Sequence, residues 1–452
     1  MLTTLSFRDY LVFFRKTIEN VVASLRANKF LRNAGIMSSG AAIGHLFTLA
    51  AAPLLTRIYG PEEFGTLGLF TTLLTTLGVA ITLQYEISIV VGNDERESAY
   101  LTIGSLLLAL PVSAFAGVLL WSMIRFKVPG FSGMPGFTPP LLVCAMLFVG
   151  IFTTLRYWSL RGQQYKWIAQ ATMTQSAGRA ILQAVLGAVG FKMSGLLLGE
   201  TLGRGVGMSR MVRSSWPALR RNAAGFRWYE LRSVLWKHRK FPLLSFPSSF
   251  LDALCLGLPL PLLVHMYGVS LGGYYSLVWK AITLPSVLIV ASVADTFHSA
   301  LAISVRESPG RALKLFRTTA ITLLCVGAVP AAVMALWGPG LFSLVFGSRW
   351  RVSGVIAAIV APWYLAQFVA NPLSRTVIVL SGQEAKLGWD VACIVSLGLV
   401  FSAAYLLHLP PLITIGVLSA VYTLLFIAYF LLLEHIVVRF DRTRRTVTQP
   451  NV

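Results

Sequence analysis

The chain has 452 residues, 56% of them apolar and only 12% charged, with a formal net charge of +21. Soluble domains carry roughly a quarter charged residues, so this composition excludes an ordinary soluble fold. The basic excess crowds into alternate connecting segments, the positive-inside bias that orients a membrane protein, so it does not imply a nucleic-acid partner.

Residues 7 to 30 place Phe7, Leu11, Phe14, Ile18, Val21 and Leu25 between Arg8, Arg15, Lys16, Arg26 and Lys29 at helical spacing. The stretch lacks the compact apolar core and cleavage site of a signal peptide. Residues 1 to 33 therefore read as a cytoplasmic amphipathic segment on the inner membrane surface, with its basic groups against anionic membrane lipids.

A spanning helix needs about 20 mostly apolar residues. That length predicts twelve spans, at 34 to 56, 65 to 91, 100 to 124, 139 to 160, 168 to 190, 194 to 212, 243 to 266, 271 to 297, 317 to 337, 353 to 380, 388 to 408 and 411 to 437. The expected fold is an all-α integral membrane protein with both termini cytoplasmic.

The first span ends on Pro53-Leu54-Leu55-Thr56-Arg57-Ile58-Tyr59-Gly60, which is echoed by Pro261-Leu262-Leu263-Val264-His265-Met266-Tyr267-Gly268 after the seventh. Gly65 and Gly273 follow at equal distance. A second echo, Gly162-Gln163-Gln164-Tyr165-Lys166 and Gly382-Gln383-Glu384-Ala385-Lys386, closes the fourth span of each half. Two anchors in one order predict a duplicated unit with a site between the halves. The lobes would cover 34 to 212 and 242 to 438, joined by a basic cytoplasmic linker at 213 to 241 and followed by a basic tail at 439 to 452.

Within the spans the polar residues are few and patterned. Span 1 carries Gly35, Gly40 and Gly44, which allow close helix approach, and the lone His45, a packing residue or a proton-coupling group. Span 5 sets Thr172, Gln175, Arg179 and Gln183 on one face, a polar stripe that must meet protein or water. Span 6 offers the seam Gly199, Gly203 and Gly207 beside Glu200 and Arg204, an i,i+4 pair in the favourable order.

The linker interleaves Arg213, Arg220, Arg227 and Arg232 with Trp216, Trp228, Tyr229 and Trp236, a composition suited to the membrane interface. Span 7 repeats the polar stripe with Ser245, Ser248, Ser249 and Asp252, then meets Pro259 and Pro261, which invite a bend. Lys280 in span 8 lies at a depth comparable with Asp252, so a Lys280 to Asp252 pair is geometrically possible, the alternative to a cavity role for both. Nearer the inner face lie Glu86, Asp295, Arg156 and Arg375, the two arginines at nearly equivalent positions of the halves. The four cysteines fall in apolar segments as small core residues.

No phosphate loop, paired-aspartate motif, zinc-binding His-Glu-x-x-His or nucleophile elbow occurs, and nothing calls for a cofactor or metal. What remains is a set of intramembrane charges, which mark a transport route or pair with one another. Arg179, Arg204, Lys280, Arg156 and Arg375 outnumber Glu86, Glu200, Asp252 and Asp295, which favours an anionic, phosphate-bearing cargo.

The segment Pro53 to Gly65, Tyr85-Glu86, Arg161-Gly162-Gln163, Lys240-Phe241-Pro242, Gly273-Tyr274-Tyr275-Ser276-Leu277, Phe346-Gly347-Ser348-Arg349-Trp350 and Ala361-Pro362-Trp363 together resemble bacterial polysaccharide flippases. Those belong to the multidrug/oligosaccharidyl-lipid/polysaccharide (MOP) exporter superfamily. The resemblance covers about residues 30 to 437 and implies two pseudo-symmetric six-helix lobes in a MATE-like V shape. It implies a multi-pass protein of the bacterial inner membrane, not an enzyme, that moves polyprenyl-pyrophosphate-linked oligosaccharide outward for O-antigen or exopolysaccharide synthesis. Partners would include the glycan polymerase and glycosyltransferases of that pathway. The cationic cavity of such proteins carries over onto Arg179, Arg204 and Lys280, although relatives often have arginine where Lys280 stands. The alternatives are an ion-coupled exporter of small molecules on the same fold and a membrane glycan polymerase or ligase.

Overall fold

The computed structural model describes residues 29–307, 311–380 and 383–448, which leaves the expected amphipathic segment before residue 29 outside the described residues. Helix covers every one of the twelve expected spans, and the described residues contain no strand. Eight helical stretches are long and apolar enough to cross a membrane. Spans 2, 5, 6 and 8 are the others.

The first half contains α1 (Lys29–Ile58), α2 (Pro61–Gly78), α3 (Tyr85–Val91), α4 (Glu95–Arg125), α5 (Thr138–Arg161), α6 (Tyr165–Ala188) and α7 (Met193–Gly205). Span 2, expected as one helix, is broken between α2 and α3, where Leu83 and Gln84 adopt positive φ. Such backbone costs of order 1–3 kcal/mol for a non-glycine residue and is held by its surroundings. Arg161 fixes the other end of α3: its guanidinium donates to the carbonyls of Ile89, Val90 and Gly92.

Glycines set how closely these helices pack. Gly40 and Gly44 of α1 abut Ala169 and Ser176 of α6, while Gly199 and Gly203 of α7 lie against the backbone of Gln183 and Arg179. Gly207 belongs to a different feature from the expected seam. Its φ of +79° ends the span and turns the chain into α8 (Met208–Asn222).

With α9 (Trp228–Lys237), α8 forms the linker, which docks beneath the first half. Met211, Leu219 and Leu231 are buried there, and Glu97 accepts from Lys237 at 2.6 Å and contacts His238 at 2.9 Å. Trp216, Trp228, Tyr229 and Trp236 remain exposed.

The second half begins with a π-helical turn (Phe241–Ser245), then α10 (Phe246–Gly257) and α11 (Pro259–Tyr267). Span 7 is thus segmented where Pro259 and Pro261 cannot donate backbone hydrogen bonds. It continues with α12 (Val269–Glu307), α13 (Arg311–Phe346), α14 (Arg351–Leu373), α15 (Arg375–Val379), α16 (Gln383–Leu406) and α17 (Pro411–Thr448). Cys393 is buried, Cys144 and Cys255 are partly so, and Cys325, expected in a core, is exposed on α13.

The halves meet through the duplicated corner. Gly65 abuts the Val269 carbonyl, Gly273 abuts the Pro61 carbonyl, and Gly68 faces Ser276. Ser270 approaches the Glu62 carboxylate at 3.4 Å. Gly68 and Ser276, and Glu62 and Ser270, occupy equivalent positions of the repeat, and the two glycine contacts exchange under it, so the first turns of α2 and α12 cross about a local pseudo-twofold axis. Trp350 reinforces this end: its indole N–H donates to the Thr56 carbonyl at 3.0 Å and its ring packs edge-on against Phe64 and Tyr274.

Candidate substrate cavity

Beneath that crossing lies a cavity of about 480 Å³, walled by α1, α2, α6 and α7 of the first half and α12 of the second. Helix α1 contributes His45 and Thr48, α2 contributes Thr71, Thr72 and Thr75, and α12 contributes Ser276, Trp279 and Lys280. Ser176, Arg179 and Gln183 enter from α6, and Glu200 and Arg204 from α7.

The close approach of Gly199 and Gly203 to α6 brings the charged faces of α6 and α7 together. Glu200 Oε1 accepts from Arg179 Nη1 at 3.2 Å and from Arg204 Nη2 at 2.7 Å, while Oε2 accepts from Gln183 Nε2 at 3.2 Å. Lys280 Nζ stands 5.7 Å from the Phe64 ring centroid at the cavity wall. Two guanidinium groups thus share one carboxylate, and a third cation lines the same cavity.

The Nε groups of Arg179 and Arg204 and the Ser276 hydroxyl are buried without a hydrogen-bond partner among the described residues. Buried donors left unpaired cost ~1–3 kcal/mol each, more when charged. A bound oxyanion, with several acceptor oxygens, suits such a group. The threonines of α2 add polar surface: Thr71 and Thr75 donate to backbone carbonyls one turn earlier and keep acceptor capacity.

Of the residues expected at the site, Arg179, Arg204, Lys280, Gln183, Glu200 and His45 come together here. The Glu200 and Arg204 pair forms but does not cancel, because Arg179 shares the same oxygen. Thr172 and Gln175 do not reach the cavity: Thr172 donates to the Ile168 carbonyl at 2.9 Å, and Gln175 to the Arg204 carbonyl at 2.7 Å. The stripe is wider than the opening, and its inner part serves contacts of α6 itself and with α7.

Arg156 and Arg375 are exposed and outside the lining, and Ser245, Ser248 and Ser249 at the start of the second half, half-buried apart from the exposed Ser248, are outside it too. Glu86 is buried on α3, where it accepts from Thr82, one turn earlier. Asp295 lies on α12, and its side chain falls outside the described residues.

Of the two readings of Lys280 and Asp252, the mutual pair does not form. Asp252 instead binds Lys386 at 2.8 Å, and Lys386 also binds Asp390 at 2.7 Å. Equal depth was insufficient because α12 turns Lys280 toward the first half. Lys386 and Asp390 were not identified from the sequence, although their i,i+4 spacing is the same signal that marks Glu200 and Arg204. The Thr71, Thr72 and Thr75 run was likewise passed over.

Eight helices long and apolar enough to cross a membrane, around a polar cavity, define an all-helical multi-pass membrane protein. The chain resembles an inward-facing multidrug resistance MATE family transporter with a TM-score of 0.72 at 14% identity, covering 88% of this chain and 96% of that one. It resembles the lipid II flippase MurJ in its inward closed conformation with a TM-score of 0.64 at 11% identity, over 92% and 93% of the two chains. A MOP superfamily transporter from Pyrococcus furiosus, noted for reversed polarity of its binding pocket, aligns with a TM-score of 0.57 at 15% identity over 90% and 96%. Comparison with curated protein sequences finds no match.

Residues 54–355 match the family model described as polysaccharide biosynthesis protein. The chain belongs to that family.

Proposed function

We propose that the protein is a flippase that carries polyprenyl-pyrophosphate-linked oligosaccharide from the cytoplasmic to the periplasmic leaflet of the bacterial inner membrane, for surface polysaccharide synthesis. In this reading it is not an enzyme. The observation that carries the proposal is the cavity in which Arg179, Arg204 and Lys280 face a single carboxylate, Glu200. An anionic pyrophosphate fits that balance, whereas a cationic drug would meet an excess of like charge. The lipid II flippase among the structural relatives supports a lipid-linked cargo in general.

The lobes are residues 34 to 212 and 242 to 438, the linker is cytoplasmic, and both termini face the cytoplasm. The Gly65 and Gly273 crossing is then the periplasmic closure, and the structure corresponds to an inward-oriented cavity. Sugars buried in hydrocarbon would leave many polar groups unpaired at ~4–8 kcal/mol each in an alkane-like reference, so headgroup and glycan travel through a wetted interior. The polyprenyl tail remains in lipid while one lobe rocks against the other.

Deleting the gene, or reversing charge with Arg179→Glu and Arg204→Glu, is expected to abolish surface polysaccharide and to trap short lipid-linked intermediates on the cytoplasmic leaflet. Unchanged surface polysaccharide at normal protein abundance would refute the proposal.

A further inference from the structure

The second half holds its own enclosed space, a cavity of about 250 Å³ between α10, α14, α16 and α17. We propose that this cavity is a glycan subsite that takes one uncharged sugar ring of the cargo, while the pyrophosphate lies in the first-half cavity. The inference rests on the flippase reading and adds where the sugar is recognised.

Its charged groups are already paired with one another. Lys386 Nζ already sits between carboxylates, 2.8 Å from Asp252 Oδ1 and 2.7 and 2.8 Å from the two oxygens of Asp390. Lys386 already fills the place between the carboxylates that a cation would take. One carboxylate in excess repels phosphate. A neutral polyol is the remaining chemistry: Asp252, its side chain 46% exposed, can accept from sugar hydroxyls, and the amides of Gln367 and Asn371 can donate or accept.

A second, independent feature points to a ligand. Trp363 and Tyr429 line the same cavity at 3% and 2% exposure, and the indole N–H and phenol O–H have no hydrogen-bond partner among the described residues. Buried polar groups are normally satisfied, so these two donors beside the cavity would gain an acceptor within it on a small turn of either ring. Sugar hydroxyl oxygens supply it. The aromatic walls, with Trp389 stacked on Tyr429 at 4.6 Å, give the apolar surface that small-molecule sites combine with a few polar groups. At this size, below the ~300–1,000 Å³ of sites for drug-sized ligands, the space suits a single ring.

The two cavities adjoin. Trp279 lines the first and Trp363 the second, and their rings meet edge-on at 4.8 Å. One headgroup can therefore reach both through a turn of this pair.

The test uses the full-length protein in lipid nanodiscs and five probes. These are bare polyprenyl pyrophosphate and the same lipid bearing one hexose, one N-acetylhexosamine, one deoxyhexose or one uronic acid. The wild type should bind the bare lipid and bind at least one of the three neutral-sugar probes about tenfold tighter, the gain that one or two net hydrogen bonds give. Gln367→Ala and Asn371→Ala, made separately and outside the Lys386 ion cluster, should remove that gain and leave affinity for the bare lipid unchanged. The inference is overturned if the wild type binds bare and neutral-sugar probes equally, if only the uronic acid adds affinity, or if both variants keep the gain. Failure of the wild type to bind any probe would instead overturn the flippase reading beneath it.

Discussion

Replacing Glu200 by Gln isolates the electrostatic logic of the first-half cavity. The change keeps shape and one carbonyl acceptor but removes the carboxylate that binds Arg179 and Arg204 at 3.2 and 2.7 Å. Removing one partner of a buried ion pair costs ~3–5 kcal/mol, because the other charge stays behind uncompensated. Glu200 is almost fully buried, but the arginine side chains retain 28% and 20% exposure toward the cavity, so water offsets part of the loss. The lower end, ~3 kcal/mol, is the expected cost, about a hundredfold in the folding equilibrium.

Glu200→Gln in nanodiscs of neutral lipid should therefore melt several degrees below the wild type at the same scan rate. Inorganic pyrophosphate should then recover more stability in the variant than in the wild type, since a ligand bound only by the folded state stabilises it in proportion to its affinity, and the competing carboxylate has gone. Equal melting temperatures, with equal stabilisation by pyrophosphate, would show that the three cations do not act as one site.

Gly203→Leu should force α7 away from the Arg179 backbone and lower abundance in the membrane, read by immunoblot. Gly190→Leu is not a suitable control, because its backbone is left-handed with φ of +95°, whereas Gly133→Ala, with open space around it, should leave abundance unchanged. Cysteines at Glu62 and Ser270, joined by a short thiol crosslinker, should stop glycan export, and a cleavable linker should restore it on reduction. Full export in the crosslinked protein would show that the crossing of α2 and α12 need not open. Lys386→Met should destabilise far more than Arg317→Met in thermal denaturation. The first strands Asp252 and the buried Asp390, whereas Arg317, 59% exposed, has an exposed pair with Glu434 of a kind worth ~0–1 kcal/mol.

Much of the architecture was legible in the sequence. Apolar run length gave the twelve segments, because a hydrocarbon layer of fixed thickness demands helices of about 20 residues. The echo of Pro53 to Gly60 at Pro261 to Gly268 marked the corner where the halves cross, since only small residues allow the α2 and α12 backbones to meet. Glu200 and Arg204 were recognisable from i,i+4 spacing, and Arg179 from a polar stripe that could not face lipid.

Other features depended on neighbours distant in the chain. Periodicity places a side chain on a face of its own helix but does not say which helix that face meets. Asp252 and Lys280 share a depth, yet the rotation of α12 delivers Lys280 to the first-half cavity, and Lys386 of α16 takes Asp252 instead. Thr172 and Arg179 share a stripe, yet only the latter reaches open space. The sequence by itself determined where the apolar helical segments lie, where the corner motif recurs and which charged residues fall within those segments. The tertiary structure decided which charges share a space, because helix rotation and glycine-permitted approach set those distances.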